Sequence, residues 1–145
     1  MTPSQIFSVA NGVAALSWVL LALLPRRPWV RTITGRIVPI AIAVLYVVLV
    51  VLHIGDGPGG FSTLSDVALL FTNPWALVAG WIHYLAFDLF VGTWQAADAD
   101  AHHIPQLLLI PCLALTFLFG PAGLLLYLIV RTMTVGRREG QLGRT

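Results

Sequence analysis

The string WIHYLAFDLF, residues 81–90, carries a histidine and an aspartate five positions apart inside a stretch that is otherwise free of charge. An ionisable side chain in hydrocarbon costs at least about 2–3 kcal/mol, so an interior-facing functional group is the default reading of both His83 and Asp88. On a helix advancing about 100° per residue, Trp81, Tyr84 and Asp88 share one stripe, while His83, Phe87, Phe90 and Trp94 form a neighbouring one. His83 and Asp88 then stand about 140° apart around the axis, too far to pair, and each meets a different neighbouring helix. The plainer alternatives are a structural carboxyl, protonated or paired with arginine, and a neutral imidazole that bridges two helices.

Downstream, Asp98, Asp100, His102 and His103 crowd one end of the same segment, and His53 closes an earlier apolar run with Asp56 just beyond it. These are ligand types for a divalent metal, but they follow no metal-site spacing: there is neither HExxH nor a pair of CxxC motifs. A solvated polar loop is the plainer reading, so no metal is assigned. The aromatic side chains Trp75, Trp81, Tyr84, Phe87, Phe90 and Trp94 share the helix. Trp75 and Trp94 suit the two membrane interfaces, and the inner rings either pack between helices or line a slot for a flat, apolar ligand. The later string FGPAGLLLY, residues 119–127, combines a bend with small residues that allow close helix approach or a ligand-sized gap.

The elements that must position these groups are legible from composition. Of 145 residues, 58% are hydrophobic and only 10% charged, against about 25% charged in soluble domains. The expected class is an all-α polytopic transmembrane bundle forming a single domain over residues 1–145, because lipid demands that each segment satisfy its own backbone. Four apolar runs, at about 5–24, 38–53, 74–94 and 105–130, have helical length. The segment PRRPWVRTITGR reads as a short interfacial loop, and Ser62 or Thr63 offers a cap for a short interfacial helix before Asn73-Pro74. Pro111 and the pair Gly120-Pro121 should bend or split the last run.

All eight basic residues are arginines, grouped as Arg26, Arg27, Arg31 and Arg36, then Arg131, Arg137, Arg138 and Arg144. They flank apolar segments, as membrane anchors do, which argues for membrane lipid as the partner and against nucleic acid. Four crossings put the two groups on opposite sides, and an odd number puts all eight on one side, so charge alone leaves the orientation open. The single cysteine, Cys112, forms no intrachain disulfide and reads as a small packed hydrophobe. The first apolar run precedes its arginines, unlike a signal peptide, and is expected to be a retained span.

WIHYLAFDLF followed by Asp98, with GPAGLLLY near the end of the last run, resembles the abscisic acid-deficient four-like family of small membrane proteins, required in plants for making neoxanthin from violaxanthin. The matching positions are Trp81, His83, Leu85, Ala86, Asp88, Leu89, Phe90, Asp98, Pro121 and Gly123. The resemblance implies a carotenoid-like apolar ligand and an epoxide-opening isomerisation to an allene. That conversion needs an acid and a base, with Asp88 as acid and His83 as base, Trp81, Tyr84, Phe87 and Asp98 against the substrate, and no cofactor. The sequence has no glycine-rich dinucleotide motif. The compact chain suits a bacterial inner membrane. Two rival readings stand beside this one. The first is a non-catalytic carotenoid- or lipid-binding accessory protein. The second is a metal- or proton-handling protein using His53, His83, Asp88 and the acids after the helix, for which an inverted-repeat transporter fold would require an oligomer.

Overall fold

The computed structural model describes residues 1–53 and 55–142, with side chains as far as 136. Among these residues all regular structure is helical. Helix α1, Pro3–Leu23, starts at a capping box: the Thr2 hydroxyl accepts from the Gln5 amide at 3.3 Å, and the Gln5 side chain accepts from the Thr2 amide at 2.9 Å. Helix α2, Pro28–Thr32, runs through one wide π-turn, Ile33–Ile37, into α3, Val38–His53. Helix α4, Leu64–Leu70, is capped by Thr63, as its sequence suggested. The long α5, Pro74–Ala101, is capped by Asn73 and carries Pro74 in its first turn; α6, Gln106–Phe119, and α7, Pro121–Leu142, follow.

Two connections are helical where the sequence suggested loops. The segment from Pro28 continues into α3, because Pro28 at the first helical position costs no hydrogen bond and the π-turn absorbs one extra residue. The turn aims Thr34, fully buried, at α5: its hydroxyl donates to the Val30 carbonyl at 3.0 Å and accepts from the Thr93 hydroxyl at 2.8 Å. Gly35 makes the approach feasible, since a Cβ there would sit 2.7 Å from the Thr93 methyl. Likewise α5 ends at Ala101 rather than Trp94. Ala96 and Ala99 of QAADADA are buried, and its acids face arginines. Asp98 and Asp100 therefore stand on a helix.

Helix α5 is the axis of the bundle. Its first half packs on α1 and α3 through Val78, Ala79, Ile82, Leu85 and Ala86, and its second half meets α1, α6 and α7 around Leu89, Ala96 and Ala99. Small residues set the spacing, since without a hydrophobic drive between helices in lipid, close packing holds them together. The Trp18 indole lies directly on Gly92, in space that any side chain there would claim. Fully buried Gln95 is paired, donating to the Thr116 hydroxyl at 3.0 Å. The outward side of α3 is apolar, with Val44, Val47, Val51 and Leu52 all exposed, as a lipid-facing surface requires.

Among the described residues, three helices are long and apolar enough to cross a membrane, Pro3–Leu23, Pro28–His53 and Pro74–Ala101. Over residues 105–130, where the sequence suggested a fourth crossing, the chain forms a helical hairpin. Pro121 splits the run at Gly120, which takes a φ of +26°. Helix α6, with 14 residues, covers only about 21 Å. Its far end lies beside Asp88, halfway along α5, and α7 returns until Arg131 meets Asp98. The hairpin thus enters and leaves at the same end. Irregular backbone at that depth is tolerated because it is packed against protein. Arg26, Arg31 and Arg131 all stand at this end, the first two beside Asp100 and the third beside Asp98. The side chains of Arg137 and Arg138, and all of Arg144, lie outside the described residues.

Candidate functional site

The hairpin corner creates an unmatched acceptor. In an uninterrupted helix the Phe117 carbonyl would receive the amide of residue 121, but that residue is proline. The Tyr84 hydroxyl of α5 takes the place of that amide and donates to the Phe117 carbonyl at 2.8 Å. Four residues on, one helical turn further, the Asp88 carboxyl lies beside the same hydroxyl and presses against Gly120. A Cβ at Gly120 would come within 2.7 Å of Asp88 Oδ1, so only glycine lets the corner sit there. Asp88 Oδ2 is buried and has no hydrogen-bond partner among the described residues. No arginine pairs with Asp88 among them either; Arg26 and Arg31 pair with Asp100, and Arg131 with Asp98. A buried carboxyl oxygen left unmatched is unusual enough to mark a site.

Aromatic rings lead to this carboxyl. Phe7 and Trp81 stand 5.5 Å apart between centroids, Trp81 and Tyr84 5.6 Å, and Trp18 and Phe117 5.6 Å beyond them. The Trp81 indole is fixed by donating its N–H to Asn11 Oδ1 at 3.0 Å. Trp81, Tyr84 and Asp88 are therefore brought together on the face that α1 and α6 share, as their common stripe implied.

His83 is not part of this group. It is exposed on the side of α5 toward α3, its ring 5.3 Å from Tyr46 and 4.6 Å from Phe87, which is also exposed. Asp98 is occupied by protein partners about 15 Å along the helix from Asp88. It accepts from the Tyr127 hydroxyl at 2.6 Å and from Arg131 Nε at 2.7 Å. Arg131 also approaches His102 Nε2 at 3.1 Å, leaving His102 Nδ1 to donate to the Asp98 carbonyl at 2.9 Å. At the opposite end of the bundle His53 hydrogen-bonds Asp56 and stacks on Trp75 with centroids 4.1 Å apart. Among the described residues no three His, Cys, Asp or Glu side chains gather closely enough to hold a metal ion.

Sequence reasoning missed Phe7, Asn11, Trp18 and Phe117. Asn11 was the available signal: a carboxamide in an apolar run, in one helical stripe with Phe7 and Trp18. Tyr127 and Arg131 gave no such signal, because their partner is 29 or more residues away in sequence.

A family model described as ABA DEFICIENT 4-like matches residues 5–127 of the chain, a stretch that includes Asp88, Tyr84, the aromatic line and the hairpin corner. No curated protein and no solved structure matches it.

Proposed function

The chain belongs to the ABA DEFICIENT 4-like family, and on that premise we propose that it acts on a carotenoid or a related apolar polyene, opening an epoxide to give an allene with no change of redox state. The observation that carries this reading is the buried oxygen of Asp88, without a partner, at the point where the aromatic line meets the hairpin corner. Among the described residues no arginine pairs with that carboxyl, and burying a charge without a partner is costly.

In this reading Asp88 gives its proton to the epoxide oxygen as the C–O bond breaks and its electron pair passes to oxygen. The carboxylate left behind is the base closest to the cationic polyene. It removes a chain proton, and the C–H electron pair becomes the new double bond of the allene. Hydrogens balance, and Asp88 regains its proton. His83 faces α3, so the base role implied by the resemblance passes to Asp88, with Tyr84 holding the corner beside it. We place the protein in a bacterial inner membrane with its arginine end in the cytoplasm.

The test is expression in a violaxanthin-producing host followed by pigment extraction. Asp88→Asn should remain folded in the membrane and lower the rearranged product by about 100-fold or more. Wild-type yield from the Asn variant would remove Asp88 from the chemistry. Retention of pigment with no conversion by the unaltered protein would favour the accessory-binding reading.

A further inference from the structure

Two polar groups lie on the outer surface of the bundle, at a depth where lipid tails offer them no partner. His83 is exposed on α5, nine residues beyond Pro74 and so about 14 Å along the helix. Tyr46 stands on α3, seven residues before that helix ends at His53, with its ring 5.3 Å from the imidazole. In a hydrocarbon layer about 30 Å thick, both rings lie near the middle. Among the described residues neither the His83 nitrogens nor the Tyr46 hydroxyl has a hydrogen-bond partner, and the rings that meet the imidazole are those of Tyr46 and Phe87. Polar side chains in a span are ordinarily hydrogen-bonded across helices, because the alternative is a donor left bare in hydrocarbon.

The surface around them differs from the rest of the outer wall. On the outward side of α3, Val44, Val51 and Leu52 are aliphatic, as contact with lipid allows. On α5 the stripe of His83 continues through Phe87, Phe90 and Trp94, which are 59%, 55% and 42% exposed. With about 150–250 Å² on each aromatic side chain, this stripe and Tyr46 offer about 450 Å² per protomer, which puts a symmetric pair near the ~1,000 Å² of a specific interface.

The occupant follows from the chemistry of the two groups. A neutral imidazole carries one N–H donor and one acceptor nitrogen, and a phenol hydroxyl both donates and accepts. The face is therefore complementary to itself. An identical face, turned by a two-fold axis along the membrane normal, arrives at the same depth with a donor for each acceptor. We propose that the chain forms a homodimer through His83, Tyr46 and the exposed aromatic stripe of α5, the imidazole and hydroxyl of each copy hydrogen-bonding to those of the other across the axis. Asp88 lies about 140° away around α5, so pairing leaves its face open in both copies and is independent of the chemistry assigned to it.

The test is association of the full chain in liposomes. Cys112→Ala protein carrying Ser62→Cys is labelled with donor or acceptor dye, and energy transfer is followed as added lipid dilutes the protein. Reversible dimerisation is expected. His83→Leu, which keeps an apolar side chain facing lipid, and Tyr46→Phe should each raise the dimer Kd about fivefold or more, whereas His83→Gln, which keeps a donor and an acceptor, should stay within about twofold. In the same Cys112→Ala background a short bismaleimide should join two copies of Phe87→Cys. It should not join copies of Leu16→Cys, at an exposed site on α1, the helix that meets α5 on its other side at Trp81. Monomer at every dilution, unchanged association in His83→Leu, a loss in His83→Gln as large as in His83→Leu, or equal cross-linking at the two sites would each overturn the proposal.

Discussion

At the scale of single residues, Asp88 and Gly120 form one unit. Asp88 Oδ2 can remain without a partner among the described residues only because the corner opposite offers a Cα hydrogen instead of a side chain. Gly120→Ala forces a Cβ into that contact and a non-glycine residue into positive φ, a strain of about 1–2 kcal/mol from the backbone alone. It should lower the midpoint of thermal unfolding in detergent and reduce pigment conversion together; an Ala variant that melts and converts like the parent would show that the corner does not hold the acid. His83 gives the complementary test. With its ring among Tyr46 and Phe87 on another face, His83→Gln should retain conversion within about tenfold, well inside the loss that removing a general base produces. A loss as deep as that of Asp88→Asn would return the base role to the imidazole.

At the scale of elements, the α6–α7 hairpin is held at both ends. Its tip is tied by Tyr84 to the Phe117 carbonyl, and its exit is tied by Tyr127 and Arg131 to Asp98. The lower tie uses an acid with a side chain only 14% exposed, so removing the arginine leaves a carboxylate without its cation near lipid. Arg131→Ala should loosen the hairpin, read as a lower unfolding midpoint and as faster amide exchange in α6 and α7 than in α1 and α3. Exchanging the two residues, Asp98→Arg with Arg131→Asp, should recover part of the loss. Uniform exchange across all helices would mean that the hairpin is no separate unit.

At the scale of the whole molecule, the α6–α7 hairpin bears on the charge balance. Among the described residues, three helices long and apolar enough to cross and one hairpin bring Arg26, Arg31 and Arg131 to one end, while Asp56 and Asp66 lie at the other. On the orientation proposed above, the positive-inside rule predicts the arginine end in the cytoplasm and the N-terminus with residues 55–73 on the opposite side. In a Cys112→Ala background, Ser62→Cys should react with a membrane-impermeant maleimide added to intact cells, and Thr132→Cys only after permeabilisation. The reverse pattern would invert the orientation, and reaction of both in intact cells would contradict the three-crossing arrangement.

Sequence by itself determined the helical class, the capped starts of α4 and α5, and the split at Gly120-Pro121. It also determined the separation of His83 from the stripe of Trp81, Tyr84 and Asp88. These follow from local rules: backbone satisfaction in lipid, proline's missing amide, and a fixed angle per residue. Only the tertiary structure decided that the last run turns back at the level of Asp88, that Asp98 belongs to Tyr127 and Arg131, and that among the described residues Asp88 faces no cation. A helix of 14 residues followed by one of 22 reads equally as a bent crossing or as a hairpin. The choice depends on which distant side chains meet across α5, and such contacts leave no periodic mark in the chain.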